Sequence, residues 1–247
     1  MHIPIVFSAF SFLFFTVGVI NPVNASEGMW FRETLTEKDK SLILVASYTA
    51  NGNLKKLESA LNDGLDNGWT VNELKEAIVH LYAYCGFPRS IRGLQTFIIV
   101  LDDRKAKGIK DVWGPKASPI KDERAKYDRG KANLDKLVGT KLDGPKKGYA
   151  QFSPEIEVFL KEHLFADIFE RDVLTYKERE LVTISVIASI QKAEPMLRSH
   201  MNICLIQGWT EAQLHDFTKV IKHRVGKQEG NDAQTVLNEL LQSKNKQ

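Results

Sequence analysis

The 247-residue chain is poor in sulfur and in helix breakers, with two cysteines, four methionines and eight prolines. Two thiols are too few for a disulfide scaffold. No segment alternates apolar and polar residues at period two for long enough to make a strand, which excludes sandwiches and barrels and leaves an all-α chain. Beyond Ile20 no apolar run is long enough to cross a bilayer. The six histidines show no ligand spacing such as His-x-x-x-His on one helix, so no bound metal is expected. Lys and Arg exceed Asp and Glu by only 34 to 31. No aromatic and basic residues interleave as a base-stacking surface needs, so nucleic acid is not an expected partner.

What the chain does have begins with an apolar run from Ile3 to Ile20 without acidic or basic side chains, followed by Val23-Asn24-Ala25. The small residues have signal-peptidase spacing, and residues 1–25 read as a cleaved export signal. The mature chain is then expected to start at Ser26, to be periplasmic or secreted from a bacterial cell, and to keep no stable membrane contact.

The remainder contains one helical unit twice. Trp30-Phe31-Arg32-Glu33-Thr34-Leu35-Thr36 recurs as Phe169-Glu170-Arg171-Asp172-Val173-Leu174-Thr175, 139 positions later. Gly68-Trp69-Thr70 with Leu74 recurs as Gly208-Trp209-Thr210 with Leu214, now 140 positions later, so one residue was gained between. Two motifs at matching distance define a duplication. The turn residues Gly114 to Pro119 divide it into a first repeat, 26–115, and a second, 116–247.

Each repeat reads as three helices. Thr36 caps a first helix whose Leu42 to Ala46 stretch is apolar on nearly every side and should be central. Leu54, Leu57, Leu61 and Leu65 stripe a second, and Thr70-x-x-Glu73 is a capping box opening a third that Gly86 and Pro88 close. The second repeat has capping boxes at Thr175-x-x-Glu178 and Thr210-x-x-Gln213, with Leu197, His200, Met201 and Cys204 striping its middle helix. It is preceded by a helix capped by Ser153, with Ile156, Phe159, Leu160 and His163 inward. Between Arg104 and Lys147 lie fourteen Lys and Arg against six Asp and Glu. That excess reads as a solvated surface or as an anion-attracting rim.

Leu197-Arg198-Ser199-His200 followed by Gly208-Trp209-Thr210, after Arg171-x-x-Leu174 and Arg179-Glu180-Leu181, resembles the γ-carboxymuconolactone decarboxylase and alkylhydroperoxidase-D-like family. Asp122-Glu123-Arg124 with Tyr127 and Gly130 is similar to the opening of its decarboxylase members. The resemblance implies an all-α tandem of alkylhydroperoxidase-D-like units and, because such short units seldom bury their faces alone, a homo-oligomer. It covers several chemistries.

The peroxidase branch uses Cys-x-x-Cys-x-x-x-His. Counted back from His200, those cysteine positions hold Ala193 and Met196. Cys204 is mid-stripe, and Cys85 sits in a last helical turn where the dipole disfavours a thiolate, so both read as packing residues. The decarboxylase branch ends its third helix in a Tyr-x-Gly-x-Pro turn, present as Tyr84-Cys85-Gly86-Phe87-Pro88 but replaced in the second copy by Arg224-Val225-Gly226-Lys227-Gln228. Conversely, Ala60 stands where the second copy has His200. Each copy thus lacks what the other keeps, which implies one composite pocket. Its expected catalytic residues are His200, as proton donor or acceptor, and Tyr84. Arg179, Arg198, His80, Glu180 and Cys85 are the substrate-binding candidates, with His80 lying between Glu76 and Tyr84 on one helix face. The reading is a cofactor-free enzyme acting on a small organic acid or lactone by decarboxylation. The alternatives are a thiol-dependent peroxidase and a non-catalytic binding protein.

Overall fold

The computed structural model describes residues 34–246. The expected export signal and the Trp30-Phe31-Arg32-Glu33 part of the first motif lie outside the described residues. Ten helices follow in order: α1 (Glu37–Asn51), α2 (Leu54–Asp66), α3 (Val71–Ala106), α4 (Lys126–Val138), α5 (Tyr149–Phe152), α6 (Pro154–Phe159), α7 (Tyr176–Ile190), α8 (Glu194–Ile206), α9 (Glu211–Val220) and α10 (Lys227–Lys244). Leu160–Ile168 continues α6, and Ile221–Val225 continues α9, as wider π-helical turns. Among the described residues there is no strand, and no helix is long and apolar enough to cross a membrane.

The duplication is visible to the residue. The limits of α1 and α7 differ by 139 positions at both ends, and those of α2 and α8 by 140. All four starts of the equivalent helices α1, α3, α7 and α9 carry closed capping boxes, at Thr36, Thr70, Thr175 and Thr210. Each box satisfies two backbone donors that a helix start leaves free. Trp69 Nε1 donates to the Lys38 carbonyl at 2.8 Å, and its equivalent Trp209 Nε1 to the Lys177 carbonyl at 2.9 Å. In both copies the same lysine places its ammonium over the indole, 4.1 and 4.3 Å from the centroid.

The residue gained between the copies lies in one loop. Gly52-Asn53 joins α1 to α2, whereas Gln191-Lys192-Ala193 joins α7 to α8. Gly52 ends its helix in the left-handed conformation at no steric cost. Gln191 and Lys192 adopt φ of 59° and 57°, which residues with a side chain rarely enter and which costs about 1–3 kcal/mol each.

Packing explains why α1 and α7 are apolar on every side. They lie against each other at the centre of the molecule, with every residue from Ser41 to Ala50 and from Arg179 to Ser189 buried. Helices α2, α3, α8, α9 and α10 surround them in one hydrophobic core. A smaller cluster of Leu137, Leu164, Phe165, Ile168, Phe169 and Ile203 joins α4 and the 160–168 turns to the main body. Gly130 permits that junction: a Cβ there would lie 1.7 Å from the Lys161 carbonyl oxygen.

Two sequence expectations are corrected here. The third helix bends at Gly86 (φ 80°, ψ 161°) rather than ending, and continues from Phe87 to Ala106 because proline is tolerated at the start of the new helix. Its counterpart Gly226 stands at the start of α10, so the two bends are equivalent. In the helix before the second copy, Ile156, Phe159 and His163 face outward, and Ser153 Oγ bonds Glu155 instead of capping the helix. The π-helical turns shift the facing, so Leu164, Phe165 and Ile168 point inward in their place.

Candidate active site

The bend at Gly86 lays the first half of α3, from the first copy, against α7 of the second. Glu76, His80 and Tyr84 occupy successive turns of α3 on one face, opposite Arg179, Thr183 and Glu180 of α7. Glu76 is buried to 1% and takes a bidentate bond from Arg171 (2.8 and 2.8 Å) and another from Arg179 Nη2 (2.8 Å). Burial alone would raise the Glu76 carboxyl, but hydrogen bonds and charge from Arg171 and Arg179 outweigh it and hold the group below its ordinary value.

Arg179 Nη1 lies 3.4 Å from His80 Nδ1. A guanidinium only donates, so Nδ1 is the acceptor and the His80 proton sits on Nε2, which meets Thr183 Oγ1 at 2.9 Å. Complete burial, then the charges of Arg179 and His200, drive the His80 pKa well below its ordinary value, so this imidazole stays neutral. The Thr183 hydroxyl is shared between the Arg179 carbonyl (2.9 Å) and the Tyr84 hydroxyl (3.2 Å). Burial and the nearby Glu180 charge raise the Tyr84 pKa, so its phenol remains a proton donor.

On the far side of Tyr84 stands His200 of α8. The two rings meet edge to face with centroids 6.2 Å apart, inside one chain. His200 Nδ1 lies 2.8 Å from Oε2 of the fully buried Glu180. The carboxylate accepts, so Nδ1 carries the proton in the neutral ring and Nε2 is the nitrogen free to exchange one. His200 retains 17% side-chain exposure, so solvent reaches it. The charges balance, with Glu76 and Glu180 against Arg171 and Arg179, as burial requires.

The structure brings His200, Tyr84, Glu180, His80 and Arg179 together across the two copies. Their roles divide differently. Arg179 is fully buried and its charge is met by Glu76 and the Arg171 carbonyl (2.6 Å), whereas Arg171 keeps 39% side-chain exposure and can meet an anion. Arg171 lines a hollow of about 260 Å3 with Lys75, Asn72 and Lys116, the last from the basic segment. Arg198 is a correction: it sits on the opposite face of α8, bonded to Ser243 at 2.9 Å, in a groove against α10. A helix turn of about 100° per residue sends residues 198 and 200 to opposite sides.

Neither thiol is activated. Cys85 donates to the Leu81 carbonyl, and burial pushes its thiol up to about 11. Cys204 is fully enclosed, and burial and Glu180 raise it well above its ordinary value. Of the peroxidase branch's two cysteine positions, Ala193 precedes α8 and Met196 is half exposed. Thr183, Glu76 and Arg171 were not singled out as site residues from sequence. Arg171 belongs to the repeated motif and Glu76 stands four before His80, so both left a signal, while Thr183 left none.

A profile of the Carboxymuconolactone decarboxylase family matches residues 22–97 and 154–222, together more than half of the chain. The chain belongs to that family. The two matched regions fall on the two copies, which agrees with the all-α tandem duplication. Among curated proteins it is similar to a protein named 4-carboxymuconolactone decarboxylase from Acinetobacter baylyi (strain ATCC 33305 / BD413 / ADP1), with 37% identity over 62 residues, 25% of this chain and 46% of that protein. The chain thus spans about half the length of the curated relative it matches.

Proposed function

We propose that the protein decarboxylates a small carboxylate or carboxylated lactone without a cofactor, using His200 as acid–base group. The observation carrying this reading is the Glu180–His200 pair held edge-on to Tyr84 across the two copies. A similar curated protein, named 4-carboxymuconolactone decarboxylase, supports the same reaction class. In the reaction the C–CO2 bond breaks, CO2 leaves, and the electron pair moves onto the carbon and into an adjacent carbonyl as an enolate. Tyr84 donates a hydrogen bond to that oxygen, protonated His200 delivers its Nε2 proton to the carbon, and solvent restores it. Glu180 stabilises the imidazolium through its 2.8 Å contact with Nδ1.

The test is CO2 release and solvent-deuterium incorporation with 4-carboxymuconolactone and related carboxylactones. Turnover lost in His200→Asn supports the reading. Wild-type protein that binds these compounds without CO2 release or deuterium uptake is a binding protein instead. The reading also places the protein outside the cytoplasm, after cleavage before Ser26. It makes the protein a homo-oligomer, for which Phe87, Ile91, Ile98 and Ile99 expose apolar surface along α3. Light scattering on purified protein giving a monomer mass would remove that last element.

A further inference from the structure

A duplicated fold has two equivalent positions for every site, and the second position here is still hollow. Shifting Thr183, His200 and Tyr84 by the offset between copies gives Leu44, Ala60 and Arg224. These three residues line one cavity of about 290 Å3 between α1, α2 and the 221–225 turns. The acid–base set has gone from it: Glu180 corresponds to Ser41 and Arg179 to Lys40, while His80 becomes Val220. With Ala60 in place of a histidine, no ring fills the space over α2.

In its place the cavity has gained cations. Lys56 and Arg224 line it together with His223, and Asp63 is the one carboxylate in the wall. Among the described residues neither Lys56 nor Arg224 has a carboxylate within 4 Å. Tyr48 closes the inner side, held by a 2.7 Å bond from its hydroxyl to the Arg224 carbonyl, and Leu44 and Ala60 give an apolar floor. Lys56 Nζ donates to the same carbonyl at 3.3 Å, which keeps its charge at the mouth. A volume near the lower limit for ligand pockets, an apolar floor and unpaired cations at one rim suit a small molecule with a flat apolar body and one carboxylate.

We propose that this retired counterpart of the active site binds a small organic carboxylate without transforming it. The assignment is independent of whether His200 is catalytic. The experiment titrates full-length, isotope-labelled protein with benzoate and, separately, with inorganic phosphate, following amide shifts. Benzoate is expected to shift Leu44, Tyr48, Ala60 and Val225 saturably. Its affinity should fall about tenfold or more in Lys56→Ala with Arg224→Ala, and likewise in Ser59→Trp, which blocks the mouth from an exposed position. His200→Asn should leave it unchanged. Phosphate, lacking an apolar body, should bind at least about tenfold more weakly. Equal phosphate affinity overturns the carboxylate assignment. Shifts confined to His200 and Tyr84 or to the Arg198 groove, with none at Leu44 and Ala60, or shifts at Leu44 and Ala60 that survive all three substitutions, overturn the site.

Discussion

His200 Nδ1 and Glu180 Oε2 are 2.8 Å apart, joining α8 to the central helix α7. The contact decides which nitrogen works, since a proton held on Nδ1 by a carboxylate leaves Nε2 for chemistry. Glu180→Gln keeps an acceptor at the same place but loses the charge that steadies the imidazolium. Turnover should fall about 10- to 100-fold with KM little changed, read from initial rates of CO2 release.

Removing the reacting groups should cost more than removing their support. His200→Asn and Tyr84→Phe are each expected to lower kcat by about 10²-fold or more. Urea unfolding of both variants should stay close to wild type, because His200 is partly exposed and the Tyr84 hydroxyl makes one 3.2 Å contact. A large stability loss with unchanged kcat in His200→Asn would return this residue to a packing role.

Thiol chemistry makes the opposite forecast. With Cys85 pushed up to about 11 and Cys204 higher than usual, neither is a thiolate near neutral pH. Cys85→Ser combined with Cys204→Ala should change turnover by less than about twofold, and the wild type should react slowly with a thiol reagent. Peroxide reduction that disappears in the double variant would establish the thiol reading instead.

The fold was legible because its signals are local and occur twice. Capping residues, the Gly-Trp-Thr turns and the apolar α1 and α7 segments each act within a few residues of chain. The composite pairing of His200 with Tyr84 was also readable, because Ala60 and Lys227-Gln228 mark complementary losses. What sequence did not carry was direction. Arg198 and His200 are two positions apart and face opposite ways, and the π-helical turns of 160–168 shift a stripe that ordinary helical spacing places inward. Nor does sequence say that Arg179 spends its charge on Glu76, since that carboxylate comes from 103 residues away.

The N-terminal region makes its own forecast. Protein recovered from the periplasm or the medium should begin at Ser26, given the Val23-x-Ala25 spacing after an uncharged apolar run. N-terminal sequencing that finds Met1 would assign that run to an uncleaved anchor.

The buried Glu76–Arg179–His80 chain gives the most exacting forecast, because its two titrating members act over different pH ranges. His80 is neutral in the fold and its pKa lies well below the ordinary value, so below about pH 6.5 the unfolded chain takes up a proton that the folded protein refuses. Stability should therefore fall as pH drops from about 6.5, with a slope of up to about 1.4 kcal/mol per pH unit from this residue. His80→Gln should flatten that part of the profile. Glu76 has the sign of a stabilising carboxylate: its folded value is depressed, so its contribution is complete above its unfolded value, near pH 4.3, and is lost as pH falls through the folded value. Glu76→Gln removes the charge that faces two arginines, one of them fully buried, and should cost about 3–5 kcal/mol at neutral pH. Urea unfolding of wild type, His80→Gln and Glu76→Gln between pH 3 and 8 separates the two effects. A wild-type profile that is flat between pH 6.5 and 5, or one that His80→Gln leaves unchanged, would mean that His80 gains its proton without unfolding and that Arg179 does not hold it neutral.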